Sequence, residues 1–141
     1  MTAMTKEEWQ AFLREKPRTA KVATVREDGR PHVAPVWIAL DGDDIVFNTG
    51  ETTVKGKSLR RDPRLSLCVD DEQPPFSFVI VEGRAELIDD LVEVRKWATV
   101  IGGRYMGADK AEQYGARNGV AGELLVRVKV ERVIAEARVA D

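Results

Sequence analysis

The sequence predicts a mainly β fold with flanking helices, in the form of a small antiparallel β-barrel. Two observations favour this class: about six strand-like segments alternate with turn signals, and helical segments are few. Closing such a sheet into a barrel would also remove its aggregation-prone edges. The chain has 141 residues, 43% of them hydrophobic and 33% charged, as is typical of a globular protein. Because no repeat or linker divides it, we expect one domain over residues 1–141.

The first third of the chain is predicted to be a short helix followed by a β-meander. A capping box at Thr5–Glu8 begins a helix that carries Trp9, and Pro17 ends it. Three strands are then expected, at Thr19–Arg26, Arg30–Leu40 and Ile45–Thr49. Pro35 lies inside the second of them. Since proline donates no ladder hydrogen bond, it predicts an edge, a bulge or a break there.

The remaining elements are predicted to be two more strands, a final strand and three helices. A helix begins near Thr53 and ends before Pro63. Arg64–Asp70 is apolar at almost every position, which predicts a strand buried on both faces. Further strands are expected at Phe76–Ile88, with a bulge or bend at Gly83, and at Glu123–Ala137. Helices are expected at Leu91–Ile101, terminated by Gly102-Gly103, and at Ala108–Ala116.

The segment after the third strand combines a helix start with a cluster of cations. Thr52 or Thr53 can cap the helix, because a hydroxyl accepts an orphan backbone N–H. Four cations follow within seven positions, namely Lys55, Lys57, Arg60 and Arg61. Free N–H groups, hydroxyls and cations together predict an anion site, most simply for a phosphate. The alternative is a capped surface helix whose cations are solvated.

The net charge, the cysteine count and the lengths of the apolar runs exclude several classes of function. The formal net charge is −2, so no overall basic field favours nucleic acid as a partner. The single cysteine, Cys68, allows neither an intrachain disulfide nor a thiolate metal cluster, and we interpret it as a buried small hydrophobe. No apolar run approaches the roughly 20 residues of a membrane span. The polar N-terminus does not resemble a signal peptide, so we expect a cytoplasmic protein with no membrane partner.

Three runs of residues carry a family resemblance. They are G-R-P-H-V-A-P-V-W at Gly29–Trp37, N-T-G-E-T-T-V-K-G-K-S-L-R-R-D-P-R at Asn48–Arg64, and V-E-G-R-A-E-L at Val81–Leu87. The chain resembles the pyridoxamine 5′-phosphate oxidase-like split β-barrel proteins. Within them it looks most like the actinobacterial flavin/deazaflavin oxidoreductases that use coenzyme F420. The similarity spans about Thr19–Ile134, and its most distinctive part is K-x-K-x-L-R-R-D-P.

The resemblance implies a six-stranded antiparallel split β-barrel of the FMN-binding type, working as a homodimer with cofactor sites between the subunits. It places the cofactor phosphate beside Lys55, Lys57, Thr53 and Ser58. It places the ring along the second and third strands, beside Pro35, Val36, Trp37, Asn48 and Thr49. His32 falls at the outer end of the second strand, and Phe76 flanks the pocket.

The resemblance also implies a function. We expect an F420H2-dependent reductase that transfers a hydride from reduced deazaflavin to an activated double bond of a small molecule, such as an enone, a quinone or a tetrapyrrole. The cofactor performs this chemistry, and no residue is an obvious general acid or base, so no catalytic residue is assigned. The alternatives are an FMN-binding oxidase or reductase, and a non-catalytic module that binds flavin, deazaflavin or haem.

Several single residues have more than one interpretation. His32 is a solvated strand-end side chain, a contact to phosphate or substrate, or a metal or haem ligand. Lys55 and Lys57 would not share a face of a regular helix, so both reach one phosphate only if Lys55 lies in the first turn or before it. Trp97 either packs in the core or faces a partner subunit or the pocket. Arg117-Asn118 is either a plain turn or a contact to the partner's cofactor.

Overall fold

The computed structural model of the protein describes residues 1–141. Its four α-helices are α1 (Lys6–Glu15), α2 (Val54–Arg61), α3 (Leu91–Met106) and α4 (Ala111–Asn118), with a 3-10 turn at Ala108–Lys110. Its strands are β1 (Thr2–Ala3), β2 (Ala20–Val25), β3 (Pro31–Val36), β4 (Ala39–Asp41), β5 (Asp44–Gly50), β6 (Arg64–Asp70), β7 (Phe78–Ile88) and β8 (Glu123–Ala137).

All strands belong to one antiparallel sheet, in the order β3-β2-β6-β7-β8-β5-β4, with β1 added to β8. The expectation of a mainly β fold with flanking helices is therefore confirmed. The sheet has eight strands, and no ladder joins its two end strands, β3 and β4. The hydrogen bonding therefore does not form a closed six-stranded barrel. Six of the strands have six or more residues, and these match the six predicted segments.

The predicted three-stranded meander is wrong, because its second strand is two strands. β3 pairs with β2, whereas β4 pairs with β5 at the opposite end of the sheet. The chain crosses between them at Trp37-Ile38, directly after the segment that contains Pro35. Pro35 lies in an edge strand, which is one of the settings that its missing N–H predicted.

The core consists of two apolar clusters separated by β5. The main cluster has 18 buried residues inside the curved sheet and includes the α1 residues Trp9, Phe12 and Leu13. The second cluster has 6, in which α3 packs on the other face of the strands: Ala39, Val46, Val94, Trp97, Ile101 and Leu125. Side chains alternate along β5, so Phe47 enters the first cluster and Val46 the second. Core packing is thereby confirmed for Trp97.

Helix α3 does not end at Gly102-Gly103, as the sequence predicted, but continues to Met106. Gly107, at φ +108°, follows it. The two glycines instead allow close helix packing. A Cβ on Gly102 would lie 2.4 Å from the Tyr114 Cβ, and one on Gly103 would lie 3.0 Å from the Ala111 Cβ. Local propensity for a helix end was overridden by this contact with α4, which itself extends through the predicted turn to Asn118.

Two strand predictions need correction, and a third is confirmed. β6 is buried on one face only, since Ser66 and Cys68 remain half-buried, so Cys68 is not a core residue. Phe76 precedes β7 in a loop, with φ +60° and 42% of its surface exposed. The bulge at Gly83 is confirmed by a register shift against β8, where a Cβ would lie 2.4 Å from the Lys129 carbonyl oxygen.

The capping box of α1 is also confirmed. The Thr5 hydroxyl accepts from the Glu8 N–H at 3.2 Å, and the Glu8 carboxylate accepts from the Thr5 N–H at 3.0 Å. None of the four helices combines the length and the apolarity that a bilayer crossing requires.

Candidate functional site

A cavity of about 350 Å³ lies where the end of β3, the end of β5, the start of α2 and the face of α3 meet. It is lined by twelve residues: Pro35, Val36, Trp37, Asn48, Thr49, Gly50, Thr53, Lys55, Ala98, Ile101, Asn118 and Glu123. Seven of the eleven residues that the sequence analysis proposed for the cofactor are among them. Their shared position is a finding, and their role in binding remains a prediction.

One end of the cavity is the first turn of α2. The Thr53 hydroxyl caps this helix by accepting from the Gly56 N–H at 3.1 Å, and it is hydrogen-bonded to the Thr49 hydroxyl at 2.9 Å. The N–H groups of Val54 and Lys55 have no partner within the chain. Unpaired N–H groups at a helix start carry partial positive charge and point outward, so they can donate to an anion.

Gly56 is needed for this geometry because α2 packs tightly on the turn that precedes it. A Cβ at this position would lie 2.3 Å from the Gly50 carbonyl oxygen, which is closer than packed atoms can approach. The glycine between the two lysines of the motif therefore has a structural role. It lets the start of the helix sit directly against the end of β5.

Lys55 is the one cation that this end of the cavity contains. It is half-buried, lines the cavity and forms no ion pair within 4.0 Å. Lys57 is exposed and outside the lining, and Ser58 is buried (3% exposed) but also outside it. Arg61 donates to the Val25 carbonyl. The structure thus brings Thr53 and Lys55 together and separates Lys57 and Ser58 from them.

The opposite wall is aromatic. The ring of Trp37 stacks on Tyr105, with centroids 5.1 Å apart and planes 7° apart, and it meets Tyr114 at 5.9 Å. The Tyr105 hydroxyl accepts from the Ile38 N–H at 3.0 Å and donates to the Arg18 carbonyl at 2.6 Å. Burial raises the pKa of Tyr105, so its hydroxyl keeps its proton as a donor. Trp37 is the aromatic residue of the lining, and its contacts with the two tyrosines support the ring that it offers to the cavity.

Between these ends, Asn48 and Thr49 of β5 line the cavity. Asn48 Nδ2 is buried and has no hydrogen-bond partner, whereas the Thr49 hydroxyl is paired with Thr53. Since an unsatisfied buried donor costs about 1–3 kcal/mol, Asn48 is suited to donate to an acceptor atom of a ligand. The cavity can therefore take a planar molecule with ring acceptors and an anionic tail.

Four lining residues were not predicted as cofactor contacts, namely Gly50, Ala98, Ile101 and Glu123. Asn118 was predicted only as part of a turn or as a contact to a partner's cofactor. Ala98 and Ile101 lie on the buried face of α3, and Asn118 is the last residue of α4. Glu123 begins β8 and is the register partner of Gly50. Nothing local in the sequence shows that pairing, because it joins residues more than seventy positions apart.

His32 and Phe76 lie outside the cavity. His32 faces the same side of the sheet as its register partner Thr24, and the His32 Nδ1 and Thr24 Oγ1 atoms are both buried without a partner. His32 is half-buried, so it is not the freely solvated strand end that was one interpretation. No group of three or more His, Cys, Asp or Glu side chains is arranged to hold a metal ion.

Comparison with known proteins agrees with this fold. The family model described as pyridoxamine 5′-phosphate oxidase matches residues 5–136. A conserved hypothetical protein from Mycobacterium tuberculosis superposes with a TM-score of 0.83 at 25% identity, over 96% of this chain and 86% of that one. An F420 reductase does so with a TM-score of 0.69 at 25% identity, over 87% and 94%.

A FAD-binding protein from Mesorhizobium loti shares the fold, with a TM-score of 0.69 at 20% identity over 94% of this chain and 93% of that chain. The family model leaves only a few residues at each end unmatched and includes every residue that lines the cavity. This chain belongs to the pyridoxamine 5′-phosphate oxidase family.

Proposed function

We propose that this protein is a flavin-type oxidoreductase of the F420-dependent, actinobacterial subgroup, an F420H2-dependent reductase of small molecules with an activated double bond. One observation carries the proposal. A single cavity joins the unpaired Lys55, beside two free N–H groups, to the aromatic wall at Trp37. The solved F420 reductase that is 25% identical over 87% of this chain supports the choice of deazaflavin.

The residues divide the work of holding the cofactor. Lys55 and the first-turn N–H groups of α2 bind the phosphate by charge and hydrogen bonding. Trp37 and Pro35 support the ring, and Asn48 Nδ2 donates to a ring acceptor. The bound reduced deazaflavin supplies the hydride. The protein orients the ring, excludes water from its covered face and leaves the other face to the acceptor, which is an enone, a quinone or a tetrapyrrole.

The test is a fluorescence titration of purified protein with oxidised F420 and with FMN. We expect saturable F420 binding in the micromolar range or tighter, and weaker FMN binding. Micromolar FMN binding without F420 binding would contradict the proposal and favour an FMN oxidase or reductase. Oxidation of F420H2 is then followed with a panel of enones and quinones, where binding without any turnover would indicate a non-catalytic carrier.

We also propose that the working unit is a homodimer with the cavity at its subunit interface. The outer face of the sheet carries a continuous register row across five strands: Pro35, Lys21, Cys68, Ile80 and Ile134. Beside this row, Val33 is 65% exposed and Val25 is 44% exposed. Lys21 is the one charged member of the row and is paired with Asp70 at 3.3 Å. The other side chains of this face are largely apolar, which favours burial against a partner. Pro35 belongs both to this face and to the cavity lining, so a second copy on the face would border the cavity.

The oligomeric state is measured by light scattering coupled to gel filtration. We expect twice the 15.7 kDa of one chain for the wild type and a monomer for Ile80→Glu, which places a negative charge between Cys68 and Ile134 of the row. Exposed Glu112→Lys on α4 is the control and should remain dimeric. A wild-type monomer at micromolar concentration would contradict the homodimer.

A further inference from the structure

The charged side chains of the cavity are balanced, which is unusual for a phosphate site. Of its twelve lining residues only two are charged, the cation Lys55 and the anion Glu123. The other basic residues of the α2 motif, Lys57, Arg60 and Arg61, are not part of the lining. The lining therefore offers a phosphate one positive side chain and one negative side chain, together with the neutral N–H groups of α2.

Glu123 stands next to the start of α2. Its Oε1 lies 3.8 Å from the point that a Cβ on Gly50 would occupy, and the Thr53 methyl lies 3.3 Å from the same point. Thr53 is the N-cap of α2, so the carboxylate and the helix start are close neighbours. Glu123 and Lys55 do not approach within 4.0 Å, so neither side chain is consumed in an ion pair.

Two influences act on the protonation of Glu123, namely its burial and the nearby charge of Lys55. Burial raises the pKa of the Glu123 carboxyl, while the positive charge of Lys55 opposes that rise. Lys55 therefore favours the ionised form of the carboxyl, which burial disfavours. An incoming anion that neutralises Lys55 must either be repelled by the Glu123 carboxylate or force it to take up a proton. Because the Glu123 carboxylate offsets the attraction of Lys55, each further negative charge on the anion loses hydration without a matching gain in attraction.

The two cofactors considered for this cavity differ in that charge. The phosphate of FMN is a monoester with a second pKa of about 6, so near pH 8 it carries almost two negative charges. The phosphate of F420 is a diester and carries one. We propose that Glu123 is a specificity-determining residue that disfavours phosphate monoesters and admits phosphodiesters. The inference deepens the function proposed above and rests on its placement of the phosphate beside Lys55.

The experiment compares two ligands that differ only in the ester. One is the 5′-phosphate of the ribityl deazaflavin of F420, and the other is the methyl ester of that phosphate. Both are titrated near pH 8 with ring fluorescence as the readout. In the wild type we expect the diester to bind about tenfold more tightly than the monoester, the order of magnitude for one added unit charge at a partly solvated site. Equal affinities, or tighter monoester binding, would overturn the proposal.

Three variants assign the discrimination to one side chain. Glu123→Gln removes the charge and should reduce the tenfold ratio to about one to two, mainly by tightening the monoester. Glu123→Asp keeps a carboxylate and should retain a preference for the diester. Glu112→Gln removes one charge from an exposed site outside the cavity and should leave the ratio at its wild-type value. A ratio that Glu123→Gln leaves unchanged would contradict the assignment. If Glu123→Gln does not fold, Glu123→Asp carries the comparison, and equal wild-type affinities would refute the proposal without any variant.

A second ligand pair separates failure of this inference from failure of the proposed function. FMN and its methyl ester are titrated in parallel. If no deazaflavin binds, the F420 proposal fails, and the FMN pair alone then measures whether Glu123 discriminates by charge. If the deazaflavins bind without discrimination, the F420 proposal stands and the role of Glu123 is refuted.

Discussion

The two apolar clusters on either side of β5 differ in what they contribute to the site. The main cluster has 18 buried residues, of which only Val36 also lines the cavity. The second has 6, of which Ile101 lines the cavity, and Trp37 and Tyr105 pack against it. Most of the apolar burial therefore stabilises the sheet, while the smaller cluster shapes the aromatic wall. Stability and ligand binding should respond to different substitutions.

The largest effect is expected in the main cluster. Leu67→Ala removes a side chain that is 1% exposed in β6, and it should lower the free energy of unfolding by about 2–5 kcal/mol. Urea denaturation measures this loss. The volume-conserving Leu67→Met should cost less than about 1.5 kcal/mol. F420 affinity of the folded fraction should stay at the wild-type value in both, and a parallel loss of affinity would show that the two clusters are coupled.

A substitution at the start of α2 should change ligand affinity without changing the stability of the fold. Lys55→Ala should weaken F420 binding by about 1.5–3 kcal/mol, the range for a hydrogen bond to a charged group, because no other cation lines the cavity. Isothermal titration gives this value. Lys57→Ala is the matched control two positions away, and as an exposed residue it should cost less than about 0.5 kcal/mol. If the two variants lose affinity equally, the phosphate does not lie at Lys55.

A smaller effect on stability is expected where the second cluster supports the aromatic wall. Tyr105→Phe removes the acceptor of the buried Ile38 N–H and should lower the free energy of unfolding by about 1–3 kcal/mol. Tyr114→Phe is the control, because its hydroxyl makes no hydrogen bond in the chain, and a change within about 0.5 kcal/mol is expected. Thermal or urea unfolding of both variants makes the comparison, and equal losses would refute the role of the Ile38 contact.

The smallest effect should come from outside both clusters, at the end of α2. Hydrogen bonds from Arg64 hold the pKa of Asp62 at about 2, below its ordinary value of 3.8. The folded carboxyl therefore releases its proton more readily than the unfolded one. Its contribution to stability is complete above about pH 4 and is lost as the pH falls through about 2. Asp62→Asn should make unfolding less steeply dependent on pH in that window, and identical pH profiles would show that the pair contributes nothing.

Much of the fold could be predicted from local patterns, because the interactions that form these elements act between residues close in sequence. Capping at Thr5 and Thr53, strand alternation and the bulge at Gly83 all act within a few residues. The assignment of β3 and β4 to opposite ends of the sheet could not be predicted, since strand pairing depends on distant partners. The same reason explains the wrong end of α3, where contact with α4 determines the role of Gly102.

In the candidate site, too, the residues of local motifs could be predicted, whereas those brought in by distant pairing could not. Residues within two of the resemblance motifs do meet in one cavity, namely Pro35–Trp37, Asn48–Gly50, Thr53 and Lys55. Glu123 could not be predicted, because only its register with Gly50 brings it there. Lys57 belongs to the same motif, but at about 100° per residue it lies roughly 200° around the helix from Lys55 and outside the lining. Ser58 returns to a face near that of Lys55, but it lies almost one turn further along α2 and is also outside the lining.

The crossing at Trp37-Ile38 has a dynamic consequence. Because β3 and β4 are the two free ends of the hydrogen-bonded ladder, this two-residue link is the shortest connection between them, and the Tyr105 hydroxyl fastens it to α3 and to the Arg18 carbonyl. A ring bound against Trp37 would pack next to these hydrogen bonds from the cavity side. Cofactor binding should therefore slow local opening of the Trp37-Ile38 link. The Ile38 amide should then exchange its hydrogen with solvent more slowly when the cavity is filled.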